Sequence, residues 1–73
     1  MNNIIVDVNT INSKATYNRI KRLKSTIDIQ PPAMYNFCRS ECQIVLVSCL
    51  NVDELENWLW KNNIDYTGVV END

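Results

Sequence analysis

Seventy-three residues with a formal net charge of −2 and a pI of about 4.9 argue against a large enclosed active site and against general, charge-driven binding to nucleic acid. A chain this short buries only about 60% of the surface that its unfolded form exposes, so one small core of marginal stability is expected. No apolar run approaches the ~20 residues that cross a bilayer.

The first element is NIIVDV, residues 3–8. Ile4, Val6 and Val8 alternate with Ile5 and Asp7, which is the period-two, β-branched pattern of a strand. Thr10, Asn12 and Ser13 follow, and each is a competent helix cap. SKATYNRIKRLKSTI, residues 13–27, then reads as a helix. At 100° per residue Thr16, Ile20, Leu23 and Ile27 form one stripe, and Lys14, Lys21 and Arg22 lie on the far side.

Asp28 to Pro32 is a break, because Pro31 and Pro32 cannot continue a helix and Pro31 biases Gln30 toward extended backbone. AMYNFC, 33–38, reads as a second strand, with Arg39, Ser40 and Glu41 as a hairpin turn. CQIVLVSC, 42–49, is the most apolar stretch of the chain and is expected at the centre of the sheet. Asn51 and Glu54 have capping-box spacing ahead of a second helix over about 52–62, which Asn62 or Asn63 can end in the left-handed conformation. IDYTGVV, 64–70, reads as a last strand, and the acidic tail, 71–73, is expected to fray.

The order β-α-β-β-α-β in a single domain, 1–73, predicts an α+β fold of the ferredoxin-like kind. Right-handed crossovers would place two helices on one face of a four-stranded antiparallel sheet of order 4-1-3-2. RNA-recognition motifs share this order, but they stack bases on aromatics of the central strands, where NIIVDV and CQIVLVSC have none. Metal chaperones of the same topology carry Cys-x-x-Cys in the first loop, and VNTINSK lacks cysteine, so the similarity stops at topology.

The second helix holds the most informative pair of residues. Trp58 and Trp60 are two apart and so point to different faces. Val52, Leu55 and Leu59 make the core stripe, with Trp58 at its edge. Trp60 falls with Asp53, Glu56 and Asn57 on the polar side. Tryptophan on a polar face either lies flat along its own helix or anchors a partner.

Charge is polarised along the chain. Five of seven cations lie in 14–24, and six of nine acids lie at or after Asp53. The basic helix reads either as a solvated face or as a contact for phosphates or an acidic protein surface.

Chemistry has little to work with. There is no His to act as a base near neutral pH, one Gly cannot cradle a phosphate, and Asp7 has no carboxylate fixed beside it by sequence. Cys38, Cys42 and Cys49 are too few for a zinc site without His. They read as small buried hydrophobes, although Cys38 and Cys42 flank a hairpin at a spacing that permits a disulfide. An odd cysteine count suits a reducing compartment, and MNNIIVDVNT has no basic segment and carries Asp7 where a secretory signal is apolar, so cytoplasmic residence is expected.

Eleven Asn and eight Ile against one Gly, two Ala and two Pro imply an AT-rich gene, as in many phages and mobile elements. The chain therefore reads as a small non-catalytic protein-binding module without metal or cofactor. An inhibitor or adaptor that docks on a larger protein is expected, with phage origin and a host or defence enzyme as the target. Trp60, Glu56, Asp53, Lys14, Lys21 and Arg22 are the candidate contact residues. A nucleic-acid-binding regulator that uses the basic helix and a structural homodimer are the alternatives.

Overall fold

Two long alternating strands make the centre of the sheet. In the computed structural model, which describes residues 1–73, β1 spans Asn2–Asn9 and β4 spans Glu41–Ser48, and they pair antiparallel over all eight residues of each. Between and after them lie α1 (Thr10–Lys21), β2 (Thr26–Ile29), β3 (Ala33–Asn36), α2 (Val52–Lys61) and β5 (Gly68–Glu71). The sheet runs β2-β4-β1-β5, with β3 also paired to β4. Every pairing is antiparallel.

One face of the sheet is closed. Ile4, Val6 and Val8 of β1 and Cys42, Ile44 and Leu46 of β4 join Ile20 of α1, Leu55 and Leu59 of α2, and Ile64 in a single buried cluster. Both helices therefore cover the same side, as the period-two and period-3.6 patterns require. At roughly 1.5–3 kcal/mol for each fully buried aliphatic side chain, this cluster is the main source of stability.

The helix ends are built from side chains. Asn51 Oδ1 accepts from Glu54 N at 2.8 Å while Glu54 Oε1 accepts from Asn51 N at 3.0 Å, a complete capping box. At the other end Asn63 adopts φ 54°. Asn63 N donates to Trp60 O at 3.2 Å and Ile64 N to Leu59 O at 3.0 Å, which is the Schellman pattern. That turn drops Ile64 into the core beside Leu59.

The structure corrects the expectations at several elements. The sheet has five strands, not four. The first helix occupies 10–21, not 13–27. Its N-cap is Asn9, whose side chain accepts from Ile11 N, so the last residue of β1 doubles as the cap. Past Arg22 the chain turns: Leu23 N donates to Ile20 O, Thr26 N to Leu23 O, and Thr26 Oγ1 to Ile20 O. Thr26–Ile29 then pairs with β4. Ile27 is consequently 52% exposed rather than part of a buried helical stripe.

The second predicted strand stops at Asn36, and Phe37 sits in the following turn, 82% exposed; Ser40 there takes φ 53°. The last strand is only Gly68–Glu71, so Ile64 and Tyr66 lie in the preceding loop. The sheet also holds the tail further than expected: Glu71 is in β5 and Asn72 N donates to Asn3 O at 2.9 Å. Of the cysteines, all three free, only Cys42 is buried; Cys38 and Cys49 are exposed.

Candidate functional site

α2 presents two different faces. Leu55 and Leu59 are buried, Trp58 packs half-buried against the core, and Trp60 is 72% exposed. Asp53, Glu56 and Trp60 recur at i, i+3 and i+7, one stripe of the helix surface. Asp53 is exposed and Glu56 half-buried.

Beside Trp60 the Schellman turn opens an irregular groove of about 570 Å³, lined by Trp60, Lys61, Asn63, Ile64, Asp65 and Tyr66. Tyr66 packs against the core, and burial, with help from the neighbouring Glu56 carboxylate, pushes its hydroxyl above the usual phenol range. Asp65 O accepts from Thr16 Oγ1 at 2.8 Å, so α1 braces the floor of this loop. The groove is thus walled by a core-packed Tyr66, the indole of Trp60 on α2, and a loop bonded to Thr16 from below.

The cations lie elsewhere. Lys14, Arg19, Lys21, Arg22 and Lys24 are all exposed on or just after α1. Lys21 Nζ stands 5.6 Å over the Tyr17 ring, a cation–π distance. The candidate contact residues therefore form two patches, an acidic one with Trp60 on α2 and a basic one with Lys14 and Lys21 on α1 and Arg22 at its C-cap.

The sheet face away from the helices carries features that sequence reasoning did not assemble. Register places Val70, Ile5 and Val45 in one row across β5, β1 and β4. The neighbouring row contains Gly68, Asp7 and Gln43. Asp7 Oδ1 is buried without a hydrogen-bond partner, and burial raises the Asp7 carboxyl above its ordinary value. The Glu41 carboxylate adds to this, while Gln43 and Tyr35 pull the other way. A β-carbon on Gly68 would meet Asp7 Oδ2 at 3.5 Å, so the smallest residue faces this carboxylate. Tyr35 OH donates to Glu41 Oε2 at 2.6 Å, which holds the phenol up to about 12. β-Branched residues at alternating positions of both central strands were the available signal for this face; the strand register needed to align them was not.

A third exposed apolar group gathers at the end of the sheet. Thr10 N and Oγ1 both donate to Ser40 O, at 2.7 and 2.6 Å. This clasp holds the start of α1, with Ile11 89% exposed, against the turn that carries Phe37.

No group of three or more His, Cys, Asp or Glu side chains is arranged to hold a metal ion, and no helix is long and apolar enough to cross a membrane. No protein-family model, curated protein or solved structure matches the chain. Its function has to be argued from its own residues.

Proposed function

We propose that this chain is a small non-catalytic protein-binding module that docks on a larger protein through Trp60. One observation carries the reading: the hydrophobic cluster is complete without Trp60, yet the largest side chain type in the protein stands 72% exposed beside a groove. Tryptophan is the residue most enriched at interface hot spots. Asp53, Glu56 and Asp65 near the indole favour a partner surface that offers an apolar pocket rimmed by Lys or Arg. Lys14, Lys21 and Arg22 form a second patch suited to an acidic part of the same partner.

The ferredoxin-like plan belongs to the same proposal. β2 and β3 both pair with β4 and count as one edge strand interrupted at Pro31–Pro32, which turns five strands into the order 4-1-3-2. Free cysteines at 38, 42 and 49 fit cytoplasmic residence. An inhibitor or adaptor of a host or defence enzyme, carried by a phage, is the biological setting we favour on composition.

The test is capture by the tagged protein from nuclease-treated bacterial lysate, with Trp60→Ala and the pair Lys21→Glu/Arg22→Glu alongside. One stoichiometric protein, retained after nuclease and lost with Trp60→Ala, is the expected result. Recovery of nucleic acid, abolished by the charge reversals and unaffected by Trp60→Ala, would replace this reading with a regulator that binds phosphates through α1.

A further inference from the structure

We infer that the open face of the sheet is the contact surface of a two-fold dimer, with a second copy of this chain as its occupant. This surface is separate from the Trp60 groove and does not depend on the function proposed for it.

Three observations converge. The first is composition. The row Val70–Ile5–Val45 runs across three strands, with Val47 beside it and Val70 50% exposed. This is a continuous β-branched band on the side that the helices leave bare, and such faces pack against another sheet about 10 Å away.

The second is area. Eight-residue β1 and β4 with the four-residue β2, β3 and β5 beside them, at roughly 3.3 Å per residue and about 4.8 Å between strands, give a flat face of roughly 450 Å². Two such faces bury about 900 Å², in the range of weak, transient association. The face therefore suffices for a weak dimer and is too small to be a dominant contact with a much larger partner.

The third is symmetry. Asn3 and Asp7 lie on the open face of β1 at equal distances on either side of Ile5. A two-fold axis lying in the interface and crossing the strands at Ile5 superposes the two apolar rows. It also places Asn3 of each copy over Asp7 of the other. The exposed Asn3 carboxamide then stands opposite the Asp7 side chain of the other copy; Asp7 Oδ1 itself is covered within its own chain. The same operation separates the two Asp7 carboxylates, because it sends the acidic end of each face, Asp7 with Glu41, toward the opposite end of its mate. Aligned sheet packing at about −30° preserves this overlap near the axis.

Sedimentation equilibrium from about 10 µM to about 1 mM tests the inference. The weight-average mass is expected to rise from the 8.5 kDa of one chain toward twice that value. Val45→Lys should weaken association at least ~tenfold, and so should Asn3→Asp, which sets a second carboxylate against Asp7, while Trp60→Ala leaves it unchanged. Asn3 is exposed, so Asn3→Asp remains informative if circular dichroism shows that Val45→Lys does not fold. A monomer mass across the whole range, or association undiminished in a folded Val45→Lys or in Asn3→Asp, overturns the inference. Loss of partner capture by Trp60→Ala with the dimer intact would keep the two surfaces distinct.

Discussion

Asp7 is the residue whose environment is least favourable to it. Its Oδ1 is buried without a partner, and burial together with Glu41 raises its carboxyl above the value it has in the unfolded chain. The folded state therefore holds the Asp7 proton more tightly than the unfolded state does. By linkage, stability from this group is greatest below its unfolded range near 3.8 and is lost as pH rises through the folded value. Asp7→Asn should accordingly stabilise the protein at pH 7 by roughly 0.5–1 kcal/mol, discounted for partial exposure. The gain should vanish below the ordinary carboxylate range, as thermal melts of both proteins across pH 2.5–7 (roughly the carboxylate titration window) can show.

Helices and strands here depend on ends as much as on faces. α2 has a strong apolar stripe, a capping box and a Schellman close. The stripe and the capping box were legible, and the left-handed close was narrowed to Asn62 or Asn63, because each depends on residues near one another in the chain. Asn51→Ala should cost about 1 kcal/mol, visible as a lower urea midpoint with an unchanged slope.

α1 is the opposite case. Its buried residues are Ser13, Thr16 and Ile20, and it is fixed by hydrogen bonds to distant backbone, Thr10 to Ser40 O and Thr16 to Asp65 O. Periodicity alone carries Ile27 into this helix, since it lies seven residues after Ile20. The free outer edge of β4 decides otherwise: it offers Thr26–Ile29 a ladder, and tertiary pairing outweighs local spacing. Phe37 failed as a strand residue for a related reason. The left-handed Ser40 and the turn over 37–40 consume residues that alternation had assigned to the strand.

At the scale of the whole molecule, two exposed surfaces lie on opposite layers. The helix layer carries Trp60 and both charged patches, and the sheet layer carries the β-branched band. The α+β class, an antiparallel sheet with two helices, and the exposure of Trp60 were within reach of pattern and spacing; which faces of β1 and β4 are buried was not, because both faces of β4 are apolar. The groove beside Trp60 was not, because Tyr66 and Asp65 reach it only through the turn at Asn63 and the brace from Thr16. Nor was the symmetry of Asn3 and Asp7 about Ile5, which has meaning only once the outer side of the sheet is known to be bare.

The central claim is that Trp60 anchors a protein partner. Calorimetric titration of the captured partner with wild-type protein and with Trp60→Ala tests it most directly. Trp60 stands outside the core, so the variant should keep its folding stability within about 0.5 kcal/mol of wild type. It should lose at least ~2 kcal/mol of binding, roughly thirtyfold in dissociation constant. Equal affinity of the two proteins for that partner would contradict the account and return Trp60 to the role of a side chain lying along its own helix.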